Sequence, residues 1–312
     1  MTVTVTVTML MPMPMRLPTT YLFVPGNRPE RFVKALASGA DRIIIDLEDA
    51  VAPADKATAR AAIAQWMTGV ASTPEDRSKV LIRINDAATS WHADDLALAR
   101  SVQALCVMLP KCEAASQVAH VLKHLEAGAN VLALVETARG LVAVNEIAAA
   151  PGVARLAFGS LDYMVDLDIP GLRNEGAAGD ASHASHAGRV GAANSIALDF
   201  AATQIAVASR AAGLPSPVAG VTPELDAAQV AADMAHARSL GFGAKMCIHP
   251  AQVAAVRAAL RSSAHELAWA QRVLRAWEAS AGGAIQVDGK MVDRPVVLKA
   301  QRIVANATDE AD

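Results

Sequence analysis

Residues 21–47 read YLFVPGNRPERFVKALASGADRIIIDL. Tyr21–Pro25 is a short β-rich run, and Gly26-Asn27-Arg28 is a turn. A helix is expected over residues 29–40, because Pro29 suits a first helical turn, Phe32 and Leu36 share a face, and Gly39 can end it. The apolar continuity of residues 42–47 then predicts a strand buried on both faces. A strand, a helix and a second buried strand in succession imply parallel pairing through a crossover.

The unit repeats outward from that stretch. Strands are expected at residues 79–85, 106–111, 130–136, 155–160, 216–221 and 244–249. Alanine-rich helices are expected at 54–68, 92–104, 114–127, 140–149, 192–212 and 226–240. About eight such units in some 230 residues fit a closed (β/α)8 TIM barrel better than an open doubly wound sheet. No G-x-G-x-x-G follows a strand, which weakens the dinucleotide-binding alternative. Beyond the eighth strand come helices at 251–260 and 265–280, a hairpin over 284–293 signalled by Asp288-Gly289, and a helix at 295–307. The expected α/β organisation is a flexible N-terminal tail (1–18), a barrel (19–262) and a C-terminal helix/hairpin extension (263–312) serving as lid or oligomer contact. The glycine-rich stretch 171–191 reads as a mobile loop, with His183 and His186 incidental to it.

Composition closes off several classes. A formal net charge of −3 leaves no electrostatic footprint for nucleic acid or an anionic membrane. No apolar run is long enough for a transmembrane helix, and residues 2–18 lack the early basic residue of a signal peptide. The three cysteines have no C-x-x-C spacing and an odd count, as in a reducing compartment. A cytoplasmic location is expected.

The predicted strands end in chemistry. The second ends in Asp46, Glu48 and Asp49, the third holds Arg83 and Asn85, the fourth ends in Lys111, the fifth in Glu136, and Asp162 follows the sixth. In a barrel these ends converge on the face that carries the active site, although strand ends are also where solvent begins. Glu136 and Asp162, without histidine or cysteine beside them, suit a hard, oxygen-loving ion, Mg²⁺ rather than Zn²⁺. Arg83 sits in an apolar run and needs a partner, for which Asp46 or Glu48 is placed. That pair is either catalytic or a structural clasp at the barrel mouth.

Residues 21–60 resemble the opening motif of the citrate lyase beta-subunit-like family, which includes malyl-CoA and citramalyl-CoA lyases. The likeness continues through RIN (83–85), LPK (109–111), ETARG (136–140), AFGSLDY (157–163), GFGAKMCIHPAQV (241–253) and DGKMVDRPV (288–296). It implies a (β/α)8 barrel assembling as a homo-oligomer, a trimer or larger. It further implies Mg²⁺ on Glu136 and Asp162, an enolate oxygen on Arg83, and Asp46 orienting that arginine, with Glu48 beside it. Asp293 matches the aspartate of an M-x-D-x-P motif that a neighbouring subunit delivers to exchange a proton with the acetyl methyl; a helix-start aspartate is the alternative.

The resemblance also implies an acyl-CoA substrate met by Phe23, Arg28 and Lys34 at its nucleotide end. Arg28 and Lys34 near a helix start make a fair phosphate site, or are merely exposed charges. His249 matches a family position with no clear role, and Ala244 departs from a usual glycine. The implied reaction is cleavage of a 3-hydroxyacyl-CoA, such as malyl-CoA or citramalyl-CoA, to acetyl-CoA and a 2-oxo acid. The alternatives are a citrate lyase beta subunit cleaving a citryl carrier-protein thioester, and a class II aldolase acting on free 2-oxo acids.

Overall fold

A computed structural model describes residues 17–69, 73–169, 192–280 and 284–308. The expected N-terminal tail, except its last two residues, and the stretch 171–191 lie outside these. Eight parallel strands close a barrel in sequence order: β1 (Thr20–Pro25), β2 (Arg42–Asp46), β3 (Val80–Arg83), β4 (Cys106–Leu109), β5 (Asn130–Val135), β6 (Val153–Phe158), β7 (Val218–Ala219) and β8 (Ala244–Cys247). Thr20–Leu22 pair with Lys245–Cys247, so β8 meets β1 and no edge remains. The (β/α)8 expectation holds.

Strand alternation divides the core in two. Tyr21, Ile44, Leu81, Met108, Leu132, Leu134, Ala157, Val218, Ala244 and Met246 fill the barrel interior. The residues between them, such as Leu22, Ile43, Ile45, Ile82, Leu109 and Val135, pack outward under the helices. The period of two then assigns Phe23, Asp46, Arg83 and Glu136 to the interior phase at the C-terminal strand ends. Asp46 and Arg83 are direct register partners across β2 and β3.

Two helical expectations change. The helix foreseen at 29–40 is a 3₁₀ turn, Pro29–Arg31, followed by Phe32–Leu36. Ser38 Oγ donates to the Ala35 carbonyl at 2.6 Å and Gly39 takes a φ of +83°, which ends the helix early. The span 140–149 is split into Ala138–Val142 and Val144–Ala149. Two short helices, Pro74–Lys79 and Ser160–Asp166, were not anticipated.

At the N-terminal end of the barrel, Asp41 Oδ2 accepts from the backbone N–H groups of Thr19 (2.8 Å) and Thr20 (3.0 Å) and from both hydroxyls (2.7 and 3.0 Å). Its Oδ1 meets Arg257 at 2.6 Å. Beside it, buried Arg155 donates to the carbonyls of Ser216 (2.5 Å) and Pro18 (2.6 Å).

Residues 18–260 form this barrel unit, and the chain from Arg261 belongs to a second. In the latter, helix Ala264–Ala279 opens with a Ser263/Glu266 capping box. Strands β9 (Ile285–Val287) and β10 (Lys290–Val292) make the expected hairpin, with positive φ at both Asp288 and Gly289. The last helix, Arg294–Thr308, packs Val297, Ala300 and Ile303 on Ala270 and Val273. Among the described residues no helix is long and apolar enough to cross a membrane.

Candidate active site

A cavity of about 360 Å³ opens at the C-terminal ends of the barrel strands. It is lined by Phe23, Asp46, Asp49, Arg83, Glu136 and Asp162, with Leu134, Leu161, Val221, Met246 and Ile248 among its apolar residues. Residues far apart in sequence thus meet as strand convergence requires.

Arg83 is its central cation. Its Nε donates to Asp46 Oδ1 at 2.7 Å and its Nη2 to Oδ2 at 2.6 Å, a two-pronged pair that fixes the guanidinium plane. Nη1 lies 2.9 Å from Glu48 Oε2, and the Phe23 ring sits 4.9 Å from the guanidinium carbon. Burial disfavours this charge, but Asp46, Glu48 and Asp49 together hold the Arg83 pKa above its ordinary value. Asp46 is positioned in turn by the backbone N–H groups of Glu48 (2.8 Å) and Ala50 (3.1 Å).

Glu136 behaves differently. It is 2% exposed, and its Oε1 accepts from the Lys111 backbone N–H at 2.8 Å. Burial, then the like charges of Asp162 and Glu48, push its carboxyl up to about 8. Gly159 is glycine for a steric reason: a Cβ there would lie 2.4 Å from Glu136 Oε2. Asp162 is carried in the first turn of helix Ser160–Asp166, immediately after β6, rather than at the strand end itself. Glu136 and Asp162 are oxygen donors only, and buried carboxylates repelling each other fit a hard cation that keeps open positions for water and substrate oxygens. Among the described residues no group of three or more His, Cys, Asp or Glu side chains forms a complete metal cage.

Three residues that carry the site drew no role from sequence. Lys111 takes a φ of +43°, which directs its N–H to Glu136 while its Nζ meets Glu48 Oε1 at 3.0 Å. Buried Lys56 donates to the carbonyls of Leu47 (2.7 Å) and Glu48 (2.6 Å) and to Asn85 Oδ1 (2.7 Å), clamping the β2 loop. Asn85 also donates to Leu47 O and to Asp95, tying that loop to helix His92–Ser101. Lys111 and Asn85 were visible as polar strand ends. Lys56 stands in an alanine-rich helix like any surface lysine, and nothing in the sequence marks it.

The remaining expected site residues lie elsewhere. Arg28 and Lys34 are exposed and do not line the cavity; Arg28 Nε pairs with Glu30 at 2.6 Å. Phe23, grouped with them from sequence, instead faces the cavity over Arg83. Asp293 belongs to the C-terminal unit, half-buried at the start of the last helix, with Oδ1 3.4 Å from the Val296 N–H. His249 is exposed, its Nδ1 accepting from the Ala251 N–H at 3.2 Å, which assigns it to the start of helix Ala251–Leu260.

A charged cavity at this end of a (β/α)8 barrel defines a barrel enzyme. The chain belongs to the HpcH/HpaI aldolase/citrate lyase family, whose model matches residues 19–250, and it is an enzyme of that lyase family. It is 38% identical to a citrate lyase subunit beta-like protein of Mycobacterium tuberculosis, over 92% of this chain and 94% of that one. It is 31% identical to the citrate lyase subunit beta of Leuconostoc mesenteroides subsp. cremoris (95% and 96%). With a (3S)-malyl-CoA thioesterase of Cereibacter sphaeroides the identity is 28% (92% and 93%). The fold superposes on the crystal structure of CitE from Mycobacterium tuberculosis in complex with magnesium, acetoacetate and coenzyme A, with a TM-score of 0.76, 36% identity, and coverage of 93% of this chain and 98% of that one.

Proposed function

We propose that this protein is a Mg²⁺-dependent carbon–carbon lyase that cleaves a 3-hydroxyacyl-CoA of the malyl-CoA or citramalyl-CoA type to acetyl-CoA and a 2-oxo acid. The observation that carries it is the Asp46–Arg83 pair facing the same cavity as the buried acids Glu136 and Asp162. In this reaction the C2–C3 bond breaks and its electron pair moves onto the thioester as an enolate. The 3-hydroxyl loses a proton and becomes the new carbonyl, and C2 gains one to become the acetyl methyl.

Arg83 has N–H donors beyond its three carboxylate contacts, and a guanidinium already fixed by Asp46 stabilises an enolate oxygen without having to reorganise. Glu136 and Asp162 are the residues that would hold Mg²⁺, which polarises the oxygens of the hydroxy or oxo acid when bound. Phe23, Leu134 and Met246 exclude water from the same space, which strengthens these interactions. Arg28, Lys34 and possession of the family's opening motif support a coenzyme A thioester. Asp293, in its M-x-D-x-P setting, is the proton carrier to C2 from a second copy of the chain in a homo-oligomer. The CitE complex with magnesium, acetoacetate and coenzyme A supports the same ligand set.

The likeness to the Leuconostoc subunit favours a second reading, in which the acyl group arrives on a carrier protein. The test is cleavage of malyl-CoA, citramalyl-CoA and hydroxymethylglutaryl-CoA, beside a citryl carrier-protein thioester, with and without Mg²⁺. Cleavage of a CoA thioester that stops on chelation is expected. No cleavage of any, and no effect of chelation, overturns the lyase assignment; cleavage of the carrier-bound substrate alone selects the second reading. Asp293→Asn keeps a good helix cap, so turnover should fall at least about 100-fold with an unchanged melting temperature. Unchanged turnover would leave Asp293 only its capping role.

A further inference from the structure

The residues around the cavity are segregated by sector. In barrel order, β2 and β3 contribute Asp46 and Arg83, while β5 and the segment after β6 contribute Glu136 and Asp162. The arc that closes the circle from β7 through β8 to β1 contributes Val221, Met246, Ile248 and Phe23, all apolar. Ile248 is 45% exposed at this mouth, so its side chain is not there to complete the core. Large apolar side chains held at a charged mouth are explained by something apolar resting on them.

This bears on the substrate, granted the lyase reaction proposed above. The cleaved carbon, C3, carries a hydroxyl, a carboxylate, the bond to C2 and one further substituent. If Glu136 and Asp162 mark where the hydroxy-acid oxygens lie, and Arg83 where the thioester oxygen lies, the remaining substituent is left to the β7–β8–β1 arc. We propose that this substituent is a methyl group, so that the substrate is a 3-carboxy-3-hydroxy-3-methyl acyl thioester and the released acid is a 2-oxo acid ending in an alkyl chain. Hydrogen in that position leaves the arc uncovered. A carboxymethyl group would press a second carboxylate onto an apolar wall beside Asp49 and Asp162. Among the described lining residues the only cation is Arg83, already committed to Asp46 and Glu48. Val221, Met246, Ile248 and Phe23 are thereby specificity-determining residues.

The experiment is a comparison of kcat/KM for three coenzyme A thioesters that differ only at this substituent: malyl (hydrogen), citramalyl (methyl) and citryl (carboxymethyl). The methyl compound is expected to lead the hydrogen compound by about tenfold, the discrimination one methyl group affords in an apolar pocket. It should lead the carboxymethyl compound by about 100-fold or more. Ile248→Ala and Val221→Ala should each shrink the methyl-to-hydrogen ratio several-fold. A preference for malyl-CoA or citryl-CoA, or a ratio unmoved in both variants, overturns the assignment of the methyl group while leaving the lyase reaction standing. Failure to cleave any of the three, where hydroxymethylglutaryl-CoA and the carrier-bound thioester also fail, sinks the lyase reaction itself, and this inference with it.

Discussion

The two ends of the barrel treat buried carboxylates in opposite ways. At the N-terminal end, burial alone would raise the Asp41 pKa, yet hydrogen bonds from Thr19 and Thr20 and the Arg257 charge hold it below the ordinary range. Every lone pair there has a donor, and the group holds strand β1 to the turn before β2. At the C-terminal end, Glu136 is buried with one backbone donor and two like-charged neighbours, and is pushed up to about 8. Glu48, too, is raised by burial and by Asp49 against the pull of Arg83 and Lys111. One end spends its charge on stability, whereas the other keeps negative charge that the protein alone leaves poorly compensated. Such an imbalance is a mark of a site prepared for something else to bind.

The sharpest way to break this contrast is Glu136→Gln. If the mouth is functional, turnover should fall by about 1,000-fold or more, and Mg²⁺ binding measured by calorimetry should weaken at least tenfold. The fold should respond in the opposite sense. An acid whose folded pKa exceeds its unfolded value costs stability as pH rises from the unfolded pKa, about 4.3, through the folded one near 8. A neutral isostere removes that cost, so the urea midpoint at pH 8 should hold or rise. A midpoint that drops as far as it does for Asp41→Asn would show that both ends are structural.

Asp41→Asn is the complementary change. Thr19 and Thr20 would lose their charged acceptor and Arg257 its partner, for about 2 kcal/mol of stability. Because the folded pKa of Asp41 is depressed, its contribution is complete above the unfolded value, about 3.9, and is lost as pH falls below it. Urea midpoints of the wild type and the variant should therefore differ at pH 7 and converge below pH 4. Turnover per folded molecule should stay within about twofold, since nothing at this end lines the cavity. A large loss of turnover would tie the floor to the chemistry and dissolve the contrast.

Much of this contrast was legible in sequence, and for a definable reason. The alternation Ile44/Asp46, Leu81/Arg83 and Leu134/Glu136 keeps each polar residue in phase with an apolar one two positions earlier, so a barrel must turn both inward. The (β/α)8 fold followed from the repeat of buried strands. What sequence could not show depends on contacts without local periodicity. Lys56 reaches backbone carbonyls of another segment, and Lys111 acts through a left-handed backbone that no propensity requires of lysine. Helix Ser160–Asp166 is too short to display a helical period. Asp41 was missed as well, because an aspartate between a helix and a strand looks like any turn residue until Thr19, Thr20 and Arg257 surround it.

Between the two ends, the rim carries the smallest expected effect. Arg28 is about half exposed and pairs with the equally exposed Glu30, and Lys34 is solvent-facing on its short helix. Exposed pairs of this kind add little to folding, so Arg28→Ala and Lys34→Ala should leave the melting temperature where it is. If these cations meet the phosphates of a coenzyme A thioester, each substitution should raise KM about threefold to tenfold with kcat nearly unchanged, since the contact is the same in ground and transition states. The rise should shrink as salt is added, because solvated charges are screened. The same two variants assayed on a truncated thioester lacking the nucleotide should show no change. A KM effect that persists on the truncated substrate would mean that the rim acts through the β1 turn on Phe23 and Arg83, and not through a phosphate.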